Sequence, residues 1–181
     1  MPTTPAPAAP VATPADNPVR RLWDRFAPLP GGPRVFSALL GRMAPYTGSI
    51  RPQVVELRAG YARVEMRDRR AVRNHLNSVH AIALMNLAEV ASGTALLYGL
   101  PPGARAILTG LSIEYLKKAR GRLVAECHAE LPDSRERREH EFESVVRDAA
   151  GDVVARARAR WMVDQESGVG GQGSGNGNTG R

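Results

Sequence analysis

The spacing of apolar positions changes several times along this chain, and each change marks an element. Residues 1–17 are almost entirely Pro, Ala and Thr with no apolar period, and are expected to form a disordered tail. From Pro18 onward Val19, Leu22, Trp23 and Phe26 recur at helical spacing. Asn17 before Pro18 reads as an N-cap followed by proline in the first turn. Pro28, Pro30, Gly31, Gly32 and Pro33 break that helix. A second carries Val35, Phe36, Leu39, Leu40 and Met43 on one side and is expected to end at Pro45 and Gly48. Short helices thus occupy residues 18–45.

From Ile50 the period shortens to two. Ile50–Leu57 and Tyr61–Arg67 read as strands joined by a turn at Arg58-Ala59-Gly60. Ala62, Val64 and Met66 face one way, and Tyr61, Arg63 and Glu65 the other. After a polar loop and a long apolar stretch the alternation returns. Arg105–Lys117 is a long strand in which Gly110 marks a bulge or bend. Arg122–Leu131 buries Leu123, Ala125, Cys127 and Ala129. Pro132–Arg138 is a charged loop, and Glu139–Asp148 is a strand with Phe142, Val145 and Val146. Val153–Val163 sets Val153, Ala155, Ala157, Ala159, Trp161 and Val163 against Arg156, Arg158 and Arg160. Residues 165–181 are a Gly-rich tail expected to be disordered.

Between the two groups of strands, the stretch from Ala81 is apolar on nearly every face, as in a buried helix. Helices, two strands, one long helix and then further strands make an α+β domain with an antiparallel sheet. The strands have one apolar face, and only the central helix is apolar enough to cover it. A curled antiparallel sheet of five to six strands around one long helix is the hotdog fold, expected over residues 46–164.

One carboxylate, Glu89, interrupts the central helix. A buried carboxylate is costly unless it is paired, hydrogen-bonded or protonated. Glu89 is therefore either satisfied by neighbours or kept for chemistry. Ser92 and Gly93 lie three and four residues beyond it on the same helix face, and Ser92 either orients the carboxylate or permits close packing. Ahead of the helix, Asn74, His75, Asn77 and Ser78 crowd into a short loop, where they are candidates to cap it.

The stretch Asn74–Glu89 resembles the motif of hotdog-fold acyl-CoA thioesterases, in which Asn, five residues and His-Gly-Gly precede an apolar helix with an acid nine residues after the His. Here Asn74 stands six before His80, and Glu89 nine after it. Leu111-Ser112-Ile113-Glu114-Tyr115-Leu116-Lys117-Lys118-Ala119 is similar to the family's third strand. The resemblance spans roughly residues 46–164. It departs where Ala81 and Ile82 replace the paired glycines, as in a less characterised branch of the superfamily. It implies thioester hydrolysis, with Glu89 as general base or nucleophile and Asn74 holding water or carbonyl. It also implies that the Ala81 and Ile82 N–H groups form an oxyanion hole, and that His80 and His75 line the substrate. Nine residues of helix turn through about 900° and advance about 13 Å, so Glu89 and His80 of one chain cannot meet. The family builds its site across a homodimer, and a dimer, or a dimer of dimers, is expected here.

Composition narrows the rest. The single cysteine excludes an internal disulfide. His75, His128 and His140 have no ligand spacing, so no metal is expected, and no Gly-x-Ser-x-Gly or phosphate-loop pattern occurs. No cofactor is implied, since coenzyme A would enter as part of the substrate. No run of about 18 residues is free of polar groups and no secretory signal is visible, so a cytoplasmic protein without a membrane partner is expected. The formal net charge is +7, with arginine in excess. Lys117 and Lys118, or the Arg156, Arg158 and Arg160 stripe, are candidates for the phosphates of coenzyme A, against the plainer reading of a solvated face. The basic residues are scattered without interleaved aromatics, which disfavours nucleic acid. Two rivals to the enzyme remain: a hotdog module that binds an acyl ligand without cleaving it, and a basic protein that binds nucleic acid.

Overall fold

The computed structural model describes residues 17–101, 103–131 and 137–165. Both expected tails lie outside these residues except at Asn17 and Gln165, and so does most of the charged loop, at 132–136. Three helices come first: α1 (Pro18–Phe26), α2 (Gly32–Met43) and α3 (Pro45–Ser49). Asn17 caps α1 by accepting the Arg20 N–H at 3.0 Å. Its Nδ2 reaches the Leu97 and Leu100 carbonyls at 2.6 and 3.1 Å, tying α1 to the end of the long helix. Trp23 and Phe36 meet edge to face at 5.1 Å, and both belong to the main core. Pro45 opens α3 rather than only closing α2, because a proline at the first helical position gives up an N–H that had no partner anyway.

The strands are β1 (Gln53–Arg58), β2 (Tyr61–Arg67), β3 (Ala104–Tyr115), β4 (Arg122–His128), β5 (Arg138–Arg147) and β6 (Val153–Gln165). They form one sheet in the order β1-β2-β4-β5-β6-β3, with every pair antiparallel. The expected alternation holds on β2 and β4, where Ala62, Val64, Met66, Leu123, Ala125 and Cys127 are all fully buried. The bulge near Gly110 is present as a register shift between Leu108 and Gly110. On β5 the inward residues are Phe142, Ser144 and Val146, and Val145 lies on the other face. Ser144 is tolerated there because its Oγ donates to the Ala88 carbonyl at 2.9 Å. On β6 Val154, not Val153, is fully buried, next to a shift in pairing between Val146 and Arg147.

The long helix α4 (Ala81–Gly99) lies across the sheet and touches all six strands. The result is the hotdog arrangement: one helix enclosed by a curled antiparallel sheet. By length and composition alone α4 could cross a membrane, with a mean hydropathy of 1.4, but 67% of that stretch is buried inside the domain. One stripe escapes cover: Ile82, Met85 and Glu89, at spacings of three and four, are the positions of its first three turns not buried by the sheet, together with Ala81 at its start. That stripe and the loop before the helix position the candidate site.

Candidate active site

The loop before α4 is built by Asn74. Its Oδ1 accepts three hydrogen bonds, from Leu76 N at 2.9 Å, Ser78 N at 3.2 Å and Ser78 Oγ at 3.1 Å. Asn77 turns the chain with a left-handed φ of 54°, a conformation asparagine accepts more readily than most residues. Its Oδ1 receives Arg73 at 3.1 Å, and its carbonyl receives Arg120 at 3.2 Å. Arg73 also pairs with Asp68 at 2.6 Å, and this hydrogen bond is the main reason the Asp68 carboxyl is held below its ordinary range. Val79 N–H to the Ala119 carbonyl and His80 N–H to the Val72 carbonyl stitch the loop to its surroundings.

His80 is the N-cap of α4. Its Nδ1 accepts the Ile82 N–H at 3.1 Å. Of the two backbone donors expected to form an oxyanion hole, Ile82 is therefore occupied by the imidazole. The Ala81 N–H has no partner among the described residues. The Ala81 carbonyl receives the Tyr115 hydroxyl at 3.0 Å, so the end of β3 braces the start of α4. A cleft of about 370 Å³ opens beside this junction, with Tyr46, Arg73, His80, Ile82 and Asn86 in its wall. The Asn86 Nδ2 donates to the Tyr46 carbonyl at 3.2 Å, which satisfies one donor of a buried polar side chain in an apolar helix.

Glu89 contrasts with all of these. Its carboxylate has no hydrogen bond and no ion pair among the described residues. Burial pushes its pKa above the ordinary glutamate value of 4.5, with no neighbouring charge contributing. It sits beside Gly93, where an added Cβ would fall 3.7 Å from Glu89 Oε1 and 3.1 Å from the Trp161 ring. Glycine at 93 therefore keeps space between the carboxylate and the indole. Ser92 does not meet the carboxylate. Its Oγ donates to the backbone carbonyl of Glu89 at 3.0 Å and accepts Trp161 Nε1 at 3.2 Å, so it is fully buried and committed to packing.

Of the remaining expected site residues, His75 is exposed on the loop. Lys117 lies at the β5–β6 hairpin, where Asp148 and Asp152 hold its Nζ at 2.9 and 2.5 Å. Lys118 is exposed and unpaired among the described residues. The arginine stripe is paired across the sheet, Arg156 with Glu143 at 2.8 Å and Arg160 with Glu139 at 3.4 Å. The structure thus gathers Asn74, His80, Ala81 and Ile82 at one place and holds Glu89 apart along the same helix. Tyr115 and Trp161 were not singled out for the site from sequence. The signals were an aromatic at a strand end and the one large residue among the alanines of the last strand. Cys127 offers no alternative nucleophile, because burial pushes its thiol up to about 11.

Residues 32–163 match the model of DUF4442, a domain of unknown function. A solved structural-genomics protein, APC5556, is 38% identical, with a TM-score of 0.72 over 81% of this chain and 98% of its own. A Pseudomonas aeruginosa protein, PA5026, described as a probable thioesterase, is 23% identical, with a TM-score of 0.61 over 75% of this chain and 96% of its own. A thioesterase family protein from Silicibacter pomeroyi is 16% identical, with a TM-score of 0.62 over 71% of this chain and 96% of its own. No curated protein matches. The two more distant likenesses bear on the fold, and the match over residues 32–163 together with the 38% identical relative bears on the family: the chain belongs to the DUF4442 family, built on the hotdog fold.

Proposed function

We propose that this protein hydrolyses acyl thioesters, acyl-CoA being the favoured class, with Glu89 as the base. The observation that carries the reading is the Glu89 carboxylate, half-buried, raised in pKa by its apolar surroundings and left without a partner among the described residues. A structural glutamate in such a place would be matched by an arginine or a backbone N–H. The thioesterase names borne by the Pseudomonas aeruginosa and Silicibacter pomeroyi structures support the same class of reaction.

In this scheme Glu89 takes a proton from water as the water oxygen attacks the thioester carbonyl carbon. The tetrahedral oxyanion needs donors, and the Ala81 N–H at the start of α4 is open for that role. Collapse of the intermediate breaks the carbon–sulfur bond, and the proton held by Glu89 goes to the leaving sulfur. The products are a carboxylic acid and a thiol. Direct attack by the carboxylate, through an anhydride that water then opens, uses the same side chain.

The two halves of this scheme lie about 13 Å apart along one helix, the rise of nine residues. A homodimer resolves the distance by bringing the loop of one protomer to Glu89 of the other. Two features support a dimer. The Ile82-Met85-Glu89 stripe of α4 is uncovered, with Ile82 46% exposed. The β3 strand is a twelve-residue sheet edge carrying Ile107 at 68% exposure, with exposed Tyr115 and Leu116 at and just beyond its end. Long apolar edges are normally covered in native proteins.

The test is thiol release from a panel of short, long and aromatic acyl-CoAs, run beside a measurement of mass in solution. Turnover of at least one class by a dimer or larger assembly is the expected result. Failure to release thiol from any substrate by a protein that binds acyl-CoA would instead identify a binding module. The His80 ring on the Ile82 N–H favours that rival, since it removes one oxyanion donor.

A further inference from the structure

The basic side chains of this protein fall into two populations. On the sheet several are matched by carboxylates, as in the pairs of Lys117, Arg156 and Arg160. Around the N-terminal helices they are not. A cleft of about 790 Å³ lies between α2, α3 and the start of β1, with Arg42, Arg51 and Arg69 in its wall and no Asp or Glu among its lining residues. The side chains of Arg42 and Arg51 have neither a hydrogen bond nor an ion pair among the described residues. Arg69 donates through Nη2 to the Ser49 carbonyl, which anchors the guanidinium, while its Nε is buried with no acceptor among the described residues. An N–H in that state is what a bound oxyanion would satisfy.

An added Cβ on Gly48 would lie 2.4 Å from the Gly41 carbonyl oxygen, so α2 and α3 pack backbone against backbone there and form a fixed wall of the cleft. Directly after α3, Arg51 adopts a left-handed φ of 53°, rare for arginine, with its N–H fixed to the Gly48 carbonyl at 3.0 Å. Strained backbone of this kind gathers at ligand sites. Guanidinium groups match phosphate oxygens in charge and in planar geometry.

We propose that this cleft binds the phosphate groups of an organic phosphate, with Arg42, Arg51 and Arg69 as the donors. The cleft beside α4 shares Ser49 with it and reaches His80 and Ile82. A ligand held here by its phosphates would therefore extend toward the start of α4. The nucleotide end of a thioester carrier has this chemistry, and so does a free nucleotide. The site stands whether or not the protein hydrolyses thioesters, and its test is a binding measurement.

The experiment is calorimetric titration of the full-length protein with coenzyme A, adenosine 3′,5′-bisphosphate and pantetheine. Wild type is compared with Arg42→Gln/Arg51→Gln, whose side chains support nothing else, and with Arg122→Gln, a sheet arginine paired with Glu65, as control. The expected result is that wild type binds coenzyme A and the bisphosphate but not pantetheine. The double variant binds both phosphates at least tenfold more weakly, and the control matches wild type. Tight binding of the bisphosphate with no gain from the pantetheine arm would identify a nucleotide site, and a gain would identify a carrier site; both support the proposal. Equal affinities in wild type and double variant, or no binding of either phosphate by wild type, would overturn it. Because no thioester is present, an inactive enzyme would leave this outcome unaffected.

Discussion

The loop at Asn74 and the helix turn at Glu89 are the two most polar places along an otherwise apolar run, and they are polar in opposite ways. In the loop the side chains are spent. Asn74 Oδ1 holds three donors, Asn77 holds Arg73 and Arg120, and His80 caps Ile82. At Glu89 nothing is spent: the carboxylate is partly buried and no donor among the described residues meets it. The loop is polar because the chain must turn sharply into a helix whose first N–H groups lack intrahelical partners. Glu89 stands where no such need exists, and leucine would pack there at lower cost. Polar groups that satisfy one another maintain a fold, and a polar group left over is available to a ligand.

If that division is correct, the largest loss of stability should come from Asn74→Ala, which frees three donors at once. A cost of about 2 kcal/mol is expected, read as a shift in the urea midpoint. Ser92→Ala comes next, because it strips the acceptor from the buried Trp161 Nε1. About 1–2 kcal/mol is expected, with a change in tryptophan fluorescence reporting the indole.

Glu89→Gln should move stability the other way. Burial raises the folded pKa of Glu89 above its unfolded value, so the folded state disfavours the ionised form. The penalty grows as pH rises from the unfolded pKa through the folded one and is absent below both. The variant should therefore melt a few degrees higher than wild type at pH 7.5, and the two should converge below pH 4. A destabilised variant at pH 7.5 would mean that Glu89 has a structural partner after all. The smallest effect is expected from Lys117→Gln. Its ion pairs lie at the surface, where such pairs contribute little, so Tm should scarcely move.

Much of the fold was legible because alternation and helical spacing are repeated signals. Ala62-Val64-Met66 and Leu123-Ala125-Cys127 each give three consistent inward positions, and errors at single residues do not alter the strand. Where the signal rests on one residue it failed. Ser144, which the apolar pattern does not mark, takes the inward place between Phe142 and Val146, because a hydrogen bond to the Ala88 carbonyl makes a serine acceptable inside. Pro45 carries two meanings, the end of one helix and the start of another, and nothing local separates them.

At the site, the position of Glu89 in a buried helix was readable from its apolar neighbours. That it lacks a partner was not, since this depends on strands more than fifty residues away in sequence. The same holds for His80 on the Ile82 N–H and for Trp161 on Ser92, both of which are decided by side-chain orientation. The basic stripe illustrates the point most clearly. Arg156 and Arg160 looked available until the pairing of β5 with β6 set Glu143 and Glu139 diagonally beside them.

The central claim is that the unpartnered carboxylate performs the reaction, and the most direct measurement is thiol release by Glu89→Gln beside wild type on the best acyl-CoA of the panel. The account expects the folded variant, with the oligomeric state of wild type, to lose about 10²–10⁴-fold in kcat, the range of a removed general base. A variant that turns over at the wild-type rate would contradict it and place the chemistry elsewhere on the molecule.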